Sequence, residues 1–329
     1  MEVAWFDTDG WEEEYFKGRD TGMDIDFYDQ PLDSENVEKA EGYDAVSVFV
    51  TSRIDEEVVQ QLDCNLIACR STGYDHVAVE KAAEQGIPVC NVPEYGGTTV
   101  AEHTFGLVLA LSRNIYTAVE KVEEGEFDHE GLRGFDLKGK KLGVVGTGAI
   151  GRNVIRIANG FDMHVIAHDP QPDRQAAHEQ GFMYVSMEDL LSQSDIVTLH
   201  CPLTDETEHM LSEDEFEMMD DTLLINTARG GLVDQEALIE ALEDGNVRAA
   251  GLDVLEEECY IEDDIRYLDE LEEKCDPRVI LEDHILMERE DVLVTPHNAF
   301  NSREAMQRIA ETTLENIRTS SNVVNSPWN

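Results

Sequence analysis

The stretch KLGVVGTGAIGRNVIRIANGFDMHVIAHD, Lys141 to Asp169, decides the fold. A short apolar run, Leu142 to Val145, leads straight into Gly146-x-Gly148-x-x-Gly151. Ile150, Val154, Ile157 and Ala158 then recur at helical spacing as far as Gly160, and a second apolar run, Val165 to Ala167, ends at Asp169. Strand, glycine turn, helix, strand and acid, in that order, form the dinucleotide-binding fingerprint. Gly146 permits the tight turn, Gly148 lets a pyrophosphate approach the backbone, and Gly151 lets the helix pack close to the strand. The helix N-terminus offers unpaired N–H groups and a partial positive charge to the phosphates. Asp169 can accept from the ribose hydroxyls and repel a 2′-phosphate, which favours NAD over NADP. A glycine turn kept for packing alone would leave Asp169 unexplained, and no Gly-Lys-Ser/Thr closes the turn as an ATP loop requires.

Around this unit, 329 residues give room for two domains, each with its own core. Asp plus Glu number 72 against 24 Lys plus Arg, a net charge of −48. The acids are spread along the whole chain, so a disordered acidic tail is a poor reading. At ordinary salt this charge repels itself. At molar salt the Debye length shrinks to about 3 Å and the repulsion largely disappears. The composition therefore points to a halophilic protein of a salt-rich cytoplasm, set against the plainer reading of a merely acidic one. It also argues against nucleic acid and anionic membranes as partners. The 6 cysteines form neither CxxC nor a Cys/His zinc spacing, so no metal site is expected and the thiols read as reduced. The N-terminus, MEVAWFDTDG, has no basic region and too short an apolar run for a signal peptide. No apolar run reaches the roughly 18 residues of a membrane span.

The rest of the chain alternates strand and helix. Strands are expected at Val3 to Phe6, Ile25 to Tyr28, Ala45 to Val50, Leu66 to Cys69 and Val89 to Val92, with helices at Glu56 to Leu62 and Val79 to Gln85. A long apolar helix, about Val100 to Glu124, is apolar on more than one side and suits an interface between domains or subunits. After Asp169, strands are expected at Ile196 to His200, Thr222 to Asn226, Ala249 to Val254 and Val292 to Thr295. Helices fall near Arg174 to Gln180, Met187 to Leu191, Glu213 to Met219 and Gln235 to Glu243, then Arg303 to Arg318. Glu258 to Glu290 is acidic, with a helix-like core at Ile265 to Glu273. The alternation implies an α/β protein of two doubly wound parallel sheets.

In such sheets ligands bind beyond the carboxyl ends of the strands. Three strands of the second half run into Thr227-Ala228-Arg229-Gly230-Gly231, Glu256-Glu257-Glu258 and Pro296-His297. An Arg, a Glu and a His thus reach one edge, beside the expected nicotinamide. The trio suits hydride transfer to a 2-oxo acid: Arg can grip the carboxylate bidentately, His can give a proton to the developing alkoxide, and a carboxylate can stabilise the imidazolium. Arg229 before Gly-Gly would also suit a helix end, and Glu258 sits in an acid run that reads as solvated charge. His297 stands out among 10 histidines by its place after a buried strand, beside a Pro that fixes the backbone. His76, His129, His178, His209 and His284 read as surface or turn residues, and His103 and His200 as structural ones.

Over nearly its whole length the chain resembles the D-isomer-specific 2-hydroxyacid dehydrogenase family. The motifs are Ser71-Thr72-Gly73-Tyr74-Asp75, Val100-Ala101-Glu102-His103-Thr104, GTGAIG, LHCPLT, INTARGGLVD, GLDVLEEE and TPHNAF. The resemblance implies that Arg229 binds substrate, that Glu258 supports the histidine, and that His297 is the proton donor. It implies that the N–H groups of Thr72 and Gly73 receive the substrate carboxylate. It also implies NAD contacts at Ala149, Ile150, Asp169, Cys201, Pro202, Thr207, Thr227, Ala228 and Asp253. A Rossmann NAD-binding domain is expected over 101–298, and a flavodoxin-like substrate domain over 1–100 and 299–329. Within the family the chain is most similar to the D-lactate dehydrogenase subgroup, where Phe49, Tyr95 and Phe300 fall on the aromatic positions around the substrate side chain. Phe49 stands where that subgroup often has Tyr, and Asn298 is not the commonest neighbour of the His. Ordinary core packing would also account for Phe49.

The implied activity is NAD-dependent reduction of pyruvate, or a similar small 2-oxo acid, to the D-hydroxy acid by a homodimer. Glyoxylate or hydroxypyruvate reduction is the alternative within the same chemistry. A different class, an NAD-sensing corepressor-like binding protein, would need peptide-docking tails that the sequence does not show. A phosphoglycerate role would want a regulatory domain after the last helix, and formate oxidation a Gln at position 258.

Overall fold

The computed structural model describes residues 1–8, 10–256 and 277–325. The chain divides into two compact units, Met1–Tyr95 with Ser302–Asn329, and Gly96–Asn301.

In the first unit, β1 (Glu2–Trp5), β2 (Asp24–Phe27), β3 (Ala45–Val48), β4 (Ile67–Cys69) and β5 (Val89–Cys90) pair in the order β2-β1-β3-β4-β5, all parallel. This is the flavodoxin-like order. The inner strands β3 and β4 are buried along their whole length, which is why they read as mostly apolar runs rather than alternating ones. Helices α1 (Trp11–Phe16), α2 (Glu56–Gln61) and α3 (Val79–Gln85) connect them. Asp55 starts α2 by accepting from the N–H groups of Glu57 and Val58. The C-terminal helix Arg303–Thr319 belongs to this unit: its Ala310, Leu314 and Ile317 pack with Val3, Trp5, Ala45 and Ala68.

The second unit holds β6 (Lys141–Val145), β7 (His164–His168), β8 (Met183–Tyr184), β9 (Ile196–Leu199), β10 (Thr222–Asn226), β11 (Val247–Leu252) and β12 (Val292–Val294). They form one parallel sheet in the order β12-β11-β10-β9-β6-β7-β8. The strand order reverses between β6 and β9, and the crevice at that switch point is where an open α/β sheet takes its ligand.

The expected long helix from Val100 to Glu124 is two helices, α4 (Gly97–Ser112) and α5 (Ile115–Glu123). Asn114 separates them in the left-handed conformation, φ 51°, which Asn tolerates better than most residues. The two pieces also differ in burial. Ala101, Phe105, Leu107 and Val108 of α4 pack against Leu142, Ile225 and the helix α6 (Ala149–Gly160) within their own unit, whereas α5 buries no residue. The apolar content of α4 is therefore explained by its own sheet.

Strand β11 begins and ends two residues earlier than expected, so Asp253 and Val254 belong to the turn beyond it. Helix Pro277–Met287 and the short elements β8 and α1 were not foreseen. This helix buries Ile280, Asp283 and Leu286 at a three-residue spacing. The helix expected at Ile265 to Glu273 lies outside the described residues. Among the described residues no helix is long and apolar enough to cross a membrane, and Cys64, Cys69, Cys90 and Cys201 are free thiols.

Candidate active site

The glycine turn sits between β6 and α6. Gly146 has φ 91°, and a Cβ there would lie 2.5 Å from the carbonyl oxygen of His200, so no other residue fits without moving β9's exit. A Cβ at Gly151 would run into the carbonyl oxygen of Gly146. Gly148 is different: it is exposed, and a Cβ there would meet nothing within 4 Å. It is the N-cap of α6 and, having no side chain, leaves that helix's first N–H groups without a side-chain cap. Asp169, at the end of β7, accepts from the N–H and the hydroxyl of Thr147, both at 2.8 Å, and from the N–H of Gln171. Burial would raise its pKa, but these bonds outweigh it and hold the carboxyl below the usual aspartate range. The acid is thus charged and fixed against the glycine turn.

Three further turns lie side by side beyond β10, β11 and β12, which are neighbours in the sheet. Beyond β10, the buried Asn226 amide donates to Arg229 O at 2.8 Å and accepts from Ala228 N–H at 3.0 Å, closing the turn that carries Arg229. A Cβ at Gly230 would collide with Leu255 O, so this turn presses directly on the segment after β11. Thr227, also buried, shares a 3.0 Å hydroxyl bond with Thr104 of α4. Beyond β11 stands Asp253, 1% exposed. Its Oδ1 accepts from the Thr295 hydroxyl (2.5 Å) and Asn298 N–H (3.0 Å), and its Oδ2 from Ala299 N–H (2.8 Å). His103 Nε2 is 3.3 Å from the same Oδ1 and 3.1 Å from Thr295 Oγ1. Burial pushes this carboxyl up, and the bonds from His103, Thr295 and Ala299 more than reverse the push, leaving it below the ordinary range.

His297 itself is half-buried, with φ 47°, and its N–H donates to Asp253 O at 2.8 Å. Asp253 therefore grips the turn around His297 from both sides: its carbonyl takes one N–H and its carboxylate takes the next two. The backbone continues the tie sideways, with Asp253 N–H donating to Asn226 O and Thr295 N–H to Leu252 O. Arg229 and His297 are thus borne on turns that the same buried aspartate and the same ladder hold in register.

Residues 105–299 match the family model described as D-isomer specific 2-hydroxyacid dehydrogenase, NAD binding domain. The chain is 36% identical over 326 residues to the D-lactate dehydrogenase of Escherichia coli (strain K12), covering 96% of each. The chain belongs to the D-isomer-specific 2-hydroxyacid dehydrogenase family. Among solved structures, the pyruvate reductase of Chlamydomonas reinhardtii matches with a TM-score of 0.84 and 37% identity over 96% of this chain and 95% of that one. The D-lactate dehydrogenase from Aquifex aeolicus, complexed with NAD and lactic acid, matches with a TM-score of 0.85 and 29% identity over 99% of both chains.

The dehydrogenase is accordingly an NAD-dependent oxidoreductase acting on 2-hydroxy acids, and its residues fit that cofactor. The uncapped N-terminus of α6, the open space over Gly148 and the charged Asp169 are what a pyrophosphate and an adenosine ribose require. The loop after β9 is held by Thr207, whose hydroxyl donates to Pro202 O and accepts from Thr204 N–H, both at 2.8 Å. Cys201 in that loop is half-buried against Met210, and burial pushes its thiol up to about 11, so it is a neutral packing group. Desolvation pushes the half-buried His200 imidazole down to about 3, so it stays neutral near neutral pH and is no proton carrier there.

The residues expected to meet substrate divide between the units. Phe300 lies in the second, while Phe49, Thr72, Gly73 and Tyr95 lie in the first. Thr72 donates its hydroxyl to Val92 O and accepts at its carbonyl from Asn91 Nδ2, while Ser71 bonds Gly73 O, so the Thr72–Gly73 turn is fastened at three points. Tyr95 O is bonded twice by Arg308. Phe49 directly follows β3 and is half-buried, its ring centroid 5.5 Å from the guanidinium carbon of Arg70. Glu258 lies outside the described residues. Sequence reasoning missed two supports, His103 as a partner of Asp253 and Arg70 as a partner of Phe49. A charged residue closing the apolar run Leu66 to Arg70 was the signal for the second.

Proposed function

We propose that the dehydrogenase reduces pyruvate to D-lactate with NADH, using His297 as the proton donor. The observation that carries this reading is the trio of neighbouring strand-end turns, in which Asp253 fastens the turn of His297 beside that of Arg229. Relatives named D-lactate dehydrogenase and pyruvate reductase support the choice of substrate. The reduced nicotinamide supplies the hydride. Arg229 grips the substrate carboxylate with its planar fork. As the carbonyl oxygen gains charge, the His297 imidazolium gives it a proton, and in the oxidative direction the neutral imidazole takes one from the hydroxyl. Glu258, assigned from the family pattern, stabilises the imidazolium. The Thr72 and Gly73 N–H groups receive carboxylate oxygen, and Phe49, Tyr95 and Phe300 favour a small apolar side chain. Ala149, Ile150, Asp169, Cys201, Pro202, Thr207, Thr227, Ala228 and Asp253 line the NAD side of the second unit, and the first unit serves the substrate.

The same reading includes a homodimer and a salt-rich cytoplasm. Ile115, Tyr116, Val119 and Val122 of α5 are all about half exposed and recur at helical spacing, an apolar face of the kind that pairs with a second copy. Among the described residues the buried acids are Glu12, Asp253 and Asp283, so nearly all of the described carboxylates reach solvent, where molar salt screens them. Kinetics with pyruvate, glyoxylate and hydroxypyruvate, each with NADH and NADPH in molar potassium chloride, test the substrate. The highest kcat/KM is expected for pyruvate with NADH, and a higher value for either other acid would overturn the choice. Sedimentation of Val119→Asp tests the dimer, and full thermal stability after dialysis to low salt would remove the salt reading.

A further inference from the structure

A second buried charge lies at the strand ends of the first unit. Arg70 follows β4 and is 1% exposed. Its Nη2 donates to Phe6 O at 2.6 Å and Asp7 O at 2.8 Å, and its Nη1 to Ser47 Oγ at 3.1 Å. Its Nε faces a carboxylate oxygen of Glu12 at 3.6 Å, and Glu12, 3% exposed, also accepts the Thr8 hydroxyl. The guanidinium carbon lies 4.8 Å from the Trp5 ring centroid and 5.5 Å from that of Phe49. One cation therefore ties together the ends of β1, β3 and β4.

As a source of stability such a pair is a poor choice, because the desolvation of two charges can exceed their attraction. What it supplies is geometry. The planar fork fixes two successive carbonyls at Phe6 and Asp7, and Asp7 is held in the left-handed region at φ 64°. The carboxylate of Asp7 in turn accepts the hydroxyls of Thr51 and Ser52, which follow Phe49. On the other side Arg70 N–H donates to Val48 O, just before Phe49, and the chain from Arg70 runs directly into Ser71-Thr72-Gly73. The Phe49 ring is thus bounded on its backbone by bonds that lead to Arg70 and on its face by the guanidinium.

We propose that Arg70 and Glu12 form a positioning pair for 2-oxo acid recognition, setting the Phe49 ring and the start of the Thr72–Gly73 turn, and so the size of side chain accepted. This rests on the reading that Phe49 and Thr72–Gly73 meet the substrate. Glu12→Gln keeps the shape and removes the counter-charge; Ser47→Ala removes one acceptor and is the milder probe should the first variant fail to fold. Losing the ion-pair partner should raise KM for pyruvate about tenfold in Glu12→Gln, and losing one acceptor of a charged hydrogen bond about threefold in Ser47→Ala. The preference for pyruvate over 2-oxo acids with longer side chains should fall with it. The KM for NADH and kcat should stay within about twofold, since neither residue belongs to the unit that carries the glycine turn. Phe49→Leu is the reference. If it shifts KM and size preference while Glu12→Gln and Ser47→Ala lower only the melting temperature, the pair is structural and the proposal is overturned. If Phe49→Leu itself changes neither, Phe49 does not meet the substrate, and the proposal falls together with that reading.

Discussion

At the ends of the seven-stranded sheet a buried anion, Asp253, gathers donors: one hydroxyl, two backbone N–H groups and His103. At the ends of the five-stranded sheet a buried cation, Arg70, gathers acceptors: two backbone carbonyls, one hydroxyl and Glu12. The sign of the charge follows the backbone to be held. The turn through His297 passes through the left-handed region and points its N–H groups inward, which an anion satisfies. The strand end at Phe6 and Asp7 points its carbonyls inward, which a cation satisfies. In both places a buried charge is tolerated because its hydrogen-bonding capacity is met by groups that form the site's own framework. The consequences differ. Asp253 holds the residue assigned to proton transfer, and Arg70 holds the ring assigned to side-chain size, so damage to the first belongs in kcat and damage to the second in KM.

The largest effect should come from the groups that the anion's turns present. His297→Ala and Arg229→Ala should each lower kcat/KM by roughly a thousandfold, in line with the 10²–10⁴ range of a positioned acid–base group and a lost charge-assisted carboxylate contact. NADH binding, followed by fluorescence titration, should be intact in both; near-normal turnover in either would break the comparison at its first step. Next comes Asp253→Asn, which offers one acceptor where two carboxylate oxygens stood. It should lower kcat by about 10- to 100-fold with KM little changed, the cost of weakening bonds to a charged acceptor. The same variant has a pH signature. The folded-state pKa of Asp253 lies below its unfolded value, so its contribution to stability is present above the unfolded aspartate pKa, about 3.9, and is lost as pH falls through the lower folded value. Acid unfolding followed by circular dichroism should therefore be shallower in Asp253→Asn, and an identical profile would remove the charge from the account. The smallest effect concerns Asp169, held by three donors but partly open to solvent. Asp169→Ala should relax the discrimination against NADPH by about tenfold, the worth of roughly 1.4 kcal/mol, and an unchanged NADH-to-NADPH ratio would show that this carboxylate serves only the glycine turn.

What the sequence made legible was local. The strand, glycine turn, helix and acid of Lys141 to Asp169 are contiguous, and the structure keeps their order through β6, α6 and β7. The Arg and His turns were readable because each follows closely on an apolar strand, β10 buried throughout and β12 buried at Val292. Asn114 was not readable, since apolar residues continue past it at Ile115 and Val119 and hide a break made by one backbone dihedral. Asp253 was expected at the cofactor, but its grip on the His297 turn, through the N–H groups of His297, Asn298 and Ala299, and its pairing with His103 join residues distant in the chain. Glu12 was the hardest to see. In a chain with 72 acidic residues, the one glutamate of Trp11 to Phe16 that turns inward cannot be told from its solvated neighbours until Arg70 is found opposite it.

The most direct measurement is the product of a reaction of pyruvate with NADH in molar potassium chloride, assayed with the native chain and with His297→Ala. The native enzyme should convert pyruvate, NADH and a proton one for one into D-lactate and NAD, while His297→Ala should bind NADH and form almost none. Formation of no D-lactate by the native enzyme, or equal formation by His297→Ala, would contradict this.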